Sequence, residues 1–371
     1  MRVTVDAVPL LVQSAGVKNY LYYWTRHLRQ ESRGIDIGLF PFLGDARGLD
    51  HQGSVLNPLA THARLGLLFL LNRFSNDIAG WMDPGVDVFH TCKLLNPPRR
   101  AKLTATVHDL TCWLLPETHS QANVLAERNF AERIVKRADG LIAVSEATRD
   151  DAVRILKVPP EKIRVIYHGV DEAFFRVTKE DAEAARLRYG LRRPYVLFVG
   201  TVEPRKNVDL LLDAYEGLEP AIREEFELVL AGPLGWAQEA TVARLRQASP
   251  GVRYLGYVAE GDLPGLFAAA TAFVYPSLYE GFGFPVAQAM AAGVAVITSG
   301  VSALPEVAGG AAILIDPRSE HELREALREA LTSPSRRSRL IELGKVNARR
   351  FSWPECARQS LRFFEEVAGG V

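Results

Sequence analysis

Short apolar runs alternate with longer amphipathic stretches along the whole chain. In the first half the runs are Val3–Val8, Ile35–Phe40, Val86–His90, Leu103–His108, Gly140–Val144 and Ile163–Tyr167. In the second half they are Tyr195–Gly200, Phe226–Ala231, Val252–Gly256, Ala272–Tyr275, Val294–Thr298 and Ala311–Ile315. Each is rich in Val, Ile, Leu or Phe and nearly unbroken, as strands of a parallel sheet covered on both faces should be. Between them, segments such as Val208–Glu216 and Glu320–Leu331 repeat their apolar positions with a 3.6-residue period. Strand and helix therefore alternate, and six strands per half predict two α/β, Rossmann-like doubly wound domains facing across a cleft.

The seam falls in Asp171–Arg193, where a polar, helix-prone stretch separates Ile163–Tyr167 from Tyr195–Gly200. The expected division is a first domain over 1–170, a linker over 171–193, a second domain over 194–350 and a closing helix over 351–371. Ligands of such sheets bind outside the carboxyl ends of the strands, so the cleft is the expected site.

Composition narrows the function. The 371 residues carry 44 Lys plus Arg and 44 Asp plus Glu, and a formal charge of zero argues against a general nucleic-acid binder. Residues 1–170 hold 21 basic and 17 acidic side chains, which leaves 23 and 27 for the rest: a modest basic bias that suits an anionic acceptor or headgroup surface, or is ordinary scatter. Apolar runs such as Leu67–Leu71 fall far short of the ~20 residues of a membrane span. Met1–Leu10 reads as a first strand containing Asp6, not as a leader. Cys92, Cys112 and Cys356 are scattered, odd in number and without metal-type spacing, which points to a reducing, cytoplasmic setting. The stretch Ala63–Phe74 is apolar nearly all round and reads either as a buried helix or as a surface that touches lipid.

The strongest chemical feature is Pro276-Ser277-Leu278-Tyr279-Glu280-Gly281-Phe282-Gly283-Phe284-Pro285, placed between a strand and a helix. The glycines allow a sharp turn and a close backbone approach, and Pro285 suits a helix start. The amide groups of that start, with the helix dipole behind them, form a ready anion site. Arg205-Lys206 lie on the loop after Tyr195–Gly200 and face the same cleft. In isolation such a pair would read as solvated; behind Val199-Gly200-Thr201-Val202-Glu203-Pro204 it reads as functional. His108-Asp109 end a strand of the first half. His90 is open to either a structural or a functional reading, and Lys18 reads as a solvated surface lysine.

These segments, in this order, resemble the retaining, nucleotide-sugar-dependent glycosyltransferases of family 4, which have the GT-B fold. The resemblance runs through Val107-His108-Asp109, Ile166-Tyr167-His168-Gly169-Val170-Asp171, the run from Val199 to Asn207, and Tyr254-Leu255-Gly256-Tyr257-Val258. It continues in Glu280–Pro285 with Ala289-Met290-Ala291, Leu304-Pro305-Glu306-Val307 and Phe351-Ser352-Trp353. The resemblance implies that Lys206, with Arg205 beside it, contacts the donor diphosphate, while Glu280 and His108 orient the donor sugar. It also implies donor contacts from Gly16, Gly200, Tyr257, Val258, Gly281, Phe282, Gly283, Phe284 and Gln288. His168 matches a position that shapes the domain edge. Gly16 stands for the second glycine of the family's Gly-Gly loop, and Ala15 replaces the first. The family's second Glu, which holds the ribose hydroxyls, is Gln288 here, so the charge of that contact is lost.

The implied activity is transfer of a hexose from a nucleotide diphosphate sugar, such as GDP-mannose or UDP-glucose, to a saccharide or lipid-linked saccharide, as in O-antigen or related cell-surface polysaccharide synthesis. The cations and the helix start supply positive charge, so no metal and no further cofactor is expected. Two alternatives stay open: a scaffold of the same fold that binds a sugar nucleotide without transferring it, and a sugar-nucleotide epimerase. The expected place is the cytoplasm, with peripheral membrane contact through the first domain.

Overall fold

The computed structural model describes residues 1–12, 16–44, 53–73, 77–236, 239–247 and 249–369. Gln13, Ser14 and Ala15 of the first glycine loop, and Phe74, lie outside the described residues. The chain divides into two compact units, Met1–Gly169 with Ser352–Val371, and Val170–Phe351.

The first unit is built on a six-stranded parallel sheet: β1 (Arg2–Asp6), β2 (Asp36–Phe40), β3 (Val88–Thr91), β4 (Lys102–Val107), β5 (Gly140–Ala143) and β6 (Ile163–Val165), ordered β2-β1-β3-β4-β5-β6. The second sheet holds β7 (Tyr195–Val199), β8 (Glu227–Ala231), β9 (Val252–Gly256), β10 (Ala272–Tyr275), β11 (Ala295–Ser299) and β12 (Ala312–Ile315), ordered β12-β11-β10-β7-β8-β9. All twelve fall on the apolar runs read from the sequence. Central strands such as β3, β5, β10 and β11 are buried at every position, whereas the edge strands β6, β9 and β12 are only partly covered. Continuous apolar sequence thus marks strands with helices on both faces.

The segment 171–193, read as a linker, is folded into the second unit. Asp171 and Thr178 cap the helices Glu172–Arg176 and Lys179–Arg188 with their side chains. Both helices pack on the helix Leu263–Ala268, so their polar outer face, not looseness, produced the linker-like sequence. The closing helix Trp353–Gly369 returns to the first unit and lies along the helix Gly16–Glu31. There the Trp24 indole N–H donates to Ser360 Oγ at 2.9 Å, and Trp353 stacks on Tyr23. A side chain at Gly169 would overlap the Trp353 backbone at 2.3 Å, so only glycine lets this returning strand of chain pass.

Two expectations are corrected. Lys18 is fully buried, and its ammonium donates to the carbonyl of Gly53. The helix Pro58–Arg73, which spans most of the nearly all-apolar stretch, is not a buried helix. Among its residues only Thr61 and Leu71 are buried, while Leu59 and Phe69 are 86% and 73% exposed. Leu67, Leu68 and Leu71 satisfy the core against Phe40 and Phe89, which leaves the opposite stripe apolar but open. No helix among the described residues is long and apolar enough to cross a membrane.

Candidate active site

In the second sheet β7 is the first strand, flanked by β8 on one side and β10 on the other. The strand order reverses at β7 and β10, and such a switch point opens a crevice outside the carboxyl ends where ligands bind. The two loops that leave these strands are 200–207 and 276–283. They are stitched together: the Leu278 N–H donates to the Arg205 carbonyl at 2.9 Å, and the Ser277 hydroxyl oxygen lies 3.1 Å from the same carbonyl. Asn207, in the left-handed region at φ 60°, donates its side-chain amide to the carbonyls of Pro276 and Pro317.

This stitching brings Arg205, Lys206 and Glu280 into one buried cluster. Glu280 Oε1 lies 2.6 Å from Lys206 Nζ and its Oε2 lies 2.8 Å from Arg205 Nη1. The Ser277 hydroxyl donates to the same Oε1 at 2.5 Å. Burial alone would raise the Glu280 pKa; Arg205, Lys206 and the two hydrogen bonds overcome it and hold the carboxyl at about 2. Lys206 is drawn down by burial and by Arg205, against the pull of Glu280 and Glu203. Burial keeps the Tyr275 phenol protonated, and Lys206 donates to its oxygen at 2.6 Å.

Sequence reasoning assigned no role to four residues that fix this cluster. Glu203 is buried and accepts from Arg205 Nη2 at 2.7 Å. Tyr275 and Ser277 hold Lys206 and Glu280 as described. Ser302, at φ 54°, accepts the Glu280 backbone N–H at 2.9 Å. Glu203 and Ser277 lie inside segments the sequence analysis singled out and Tyr275 immediately precedes one, so all three could have been picked out. Ser302 carries no sequence signal, because a serine in the left-handed region looks like any other.

Gly281, Phe282 and Gly283 lead from Glu280 into the helix Phe284–Ala291, with Gly283 as its N-cap at φ 96°. A Cβ at Gly283 would also stand 2.7 Å from Leu304 Cδ2 and push that side chain aside, but it is the left-handed conformation that requires glycine. The positive end of this helix therefore opens beside the two cations. Gln288 is buried one turn further along, and its amide makes no hydrogen bond to a described side chain or carbonyl. Gly200 ends β7 next to Gly232, whose φ of 140° lets its backbone come so close that a Cβ would sit 2.0 Å from the Gly200 oxygen. Tyr257 and Val258 follow Gly256 at the end of β9, the tyrosine partly exposed and the valine buried.

His108 and Gly16 belong to the first unit. His108 follows β4, lies edge-on to Tyr20 and stacks on His168. Burial lowers its pKa to about 4; Asp109 works against this and Lys93 adds to it, so the ring is neutral at pH 7. His168 packs between Tyr20 and Trp353. His90 is fully buried, with Nδ1 and Nε2 3.1 and 3.0 Å from the Thr104 and Thr106 hydroxyls, which makes it a packing residue. Gly16 opens its helix in an exposed position.

The first sheet has its own switch point, between β1 and β3, but the protein fills it. The Asp6 carboxylate accepts the backbone N–H groups of Val8, Cys92, Lys93 and Leu94 at 2.5–3.1 Å. A nest of amides that would suit an anionic ligand is thus already satisfied.

Comparison with known proteins agrees with this division. A family model described as Glycosyltransferase Family 4 matches residues 14–174, and one described as Glycosyl transferases group 1 matches residues 180–346. The O-antigen chain mannosyltransferase B of Escherichia coli is 31% identical over 281 residues, 75% of this chain and 74% of that protein. The serotype-specific mannosyltransferase WbdA of Escherichia coli is 27% identical over 278 residues, 72% of this chain but only 34% of that longer protein. Among solved structures, Anabaena HepE in complex with UDP-glucose has a TM-score of 0.71 at 20% identity, over 100% of this chain and 99% of that one. At that identity the likeness concerns the fold.

Proposed function

The chain belongs to the group 1, family 4 glycosyltransferases, and from that footing we propose that it is a retaining hexosyltransferase. It moves a hexose from a nucleoside diphosphate sugar to a saccharide or lipid-linked saccharide hydroxyl in the building of a cell-surface polysaccharide. Two relatives named as mannosyltransferases, one of them for an O-antigen chain, favour mannose as the sugar. HepE, named with UDP-glucose, keeps glucose in view.

The observation that carries this reading is the pairing of Arg205 and Lys206 with Glu280, just ahead of the amide end of the helix Phe284–Ala291, at the switch point of the second sheet. Charge grows on the diphosphate as the bond to the sugar breaks, and fixed cations aimed there lower the barrier. As the acceptor oxygen bonds to the anomeric carbon, the carbon–phosphate-oxygen bond opens. The leaving phosphate oxygen takes the acceptor's proton, and both events use one face of the sugar. Glu280 receives sugar hydroxyls, Gln288 the ribose, and the backbone beyond β9 at Tyr257 and Val258 the base. The open apolar stripe of the helix Pro58–Arg73, with Trp81 nearby in sequence and also exposed, gives that unit a surface for a lipid-borne acceptor.

Incubation with GDP-mannose and UDP-glucose, with and without saccharide acceptors, tests the reading. Acceptor-dependent release of the nucleoside diphosphate is expected. Binding without release would make the protein a scaffold, and a new sugar nucleotide would make it an epimerase. Gln288→Glu tests the donor pose: a charge-assisted bond is worth ~1.5–3 kcal/mol against ~1 for a neutral one. The variant should lower the donor KM several-fold with kcat little changed. A higher KM would remove residue 288 from the ribose.

A further inference from the structure

The two cations of the candidate site are already engaged. Lys206 spends two of its three N–H donors on Tyr275 and Glu280, and Arg205 Nη1 serves both the Tyr279 carbonyl and Glu280. Arg205 Nη2 is held by Glu203. With Glu203 and Glu280 both ionised, the four side chains sum to zero charge. A diphosphate brought against a neutral, buried cluster gains little attraction and finds these donors taken. One carboxylate has to give way, and the geometry distinguishes the two. Of the ion pairs described, those of Glu203 reach Arg205 only, whereas Glu280 places one oxygen on each cation, as adjoining phosphate oxygens would.

We propose that Glu280 holds the positions on Arg205 and Lys206 that the donor diphosphate needs, and that donor binding proceeds by exchange. The carboxylate leaves both cations to the phosphates and turns to the hydroxyls of the sugar. This rests on the reading of the site as a nucleotide-sugar site and adds a selectivity to it. An intact donor supplies Glu280 with new partners; the product diphosphate does not, so it competes with Glu280 at a disadvantage and is released. Glu280 thereby serves in turn as placeholder and sugar ligand, while Glu203 stays with Arg205 as a positioning residue.

The test is calorimetric titration of wild type, Glu280→Gln and Glu203→Gln with GDP and GDP-mannose, and with UDP and UDP-glucose, with circular dichroism confirming that each variant is folded. Exchange predicts opposite signs in Glu280→Gln: tighter binding of the free nucleoside diphosphate, by about tenfold, and no gain or a loss for the intact sugar nucleotide. Glu203→Gln should show no such gain. Weaker binding of both ligands by Glu280→Gln would make Glu280 a fixed anchor and overturn the proposal. Equal gains in both variants would reduce the effect to net charge and overturn it as well. If no form binds any of the four ligands, the nucleotide-sugar reading itself falls, and the exchange with it.

Discussion

Replacing Lys206 by alanine should lower kcat for sugar transfer by about 10²–10³ while the protein stays folded, because removing one preformed donor to developing charge costs roughly that much. Lys206 is suited to the task by its confinement. Its ammonium is buried and held by Tyr275, and its loop is sewn to the neighbouring loop through Asn207 and the Arg205 carbonyl. Little reorganisation is then needed when charge develops, which is where fixed groups outperform water. The loss should fall mainly on kcat, since the diphosphate carries more charge in the transition state than in the bound donor. Arg205 and the helix dipole remain, so some activity persists. The fold survives because Glu280 keeps Arg205 and Ser277 as partners. Steady-state kinetics with thermal melts of both proteins checks this, and unchanged turnover in a folded variant would take Lys206 out of the reaction.

Asp6→Ala should destabilise the first unit by about 3–5 kcal/mol, because four amides, those of Val8 and Leu94 buried and those of Cys92 and Lys93 half-buried, lose their acceptor together. The carboxylate caps the end of β3 by accepting from Cys92, Lys93 and Leu94, and it joins β1 to the loop after it through Val8. No water can replace four converging acceptor bonds at a residue with no exposed surface. Asp6→Asn, which keeps one carbonyl oxygen, should lose less. Differential scanning calorimetry should show the transition of the first unit moving down by several degrees and that of the second unit holding still. A loss below about 1 kcal/mol would mean that the loop is held by packing instead. The same carboxylate explains why the first sheet offers no nucleotide phosphate site at its own switch point, although it has the same architecture as the second.

The strands were legible because each is a short apolar run, most of them set between helices, and both sheets bury their central strands on both faces. Legibility ended where burial depends on long-range packing. Lys18 has the composition of a surface residue, yet it lies under Gly53. The helix Pro58–Arg73 looks buried by composition, but a core against Phe40 and Phe89 needs only one of its faces. Likewise the polar helices between 171 and 193 look like a linker until the helix Leu263–Ala268 is set against them. In the site, Glu280, Arg205 and Lys206 stood out because glycines and a proline frame them in recognisable segments. That they form one ion-paired cluster, locked by Glu203, Ser277 and Ser302, follows from two loops more than 70 residues apart meeting at β7 and β10.

The most direct test of the account is a crystal structure of the protein with an intact nucleoside diphosphate sugar. The diphosphate should lie against Arg205, Lys206 and the first turn of the helix Phe284–Ala291, with the Glu280 carboxylate turned to the sugar. A ligand bound elsewhere, with the Glu280 ion pairs to Arg205 and Lys206 unchanged, would contradict it.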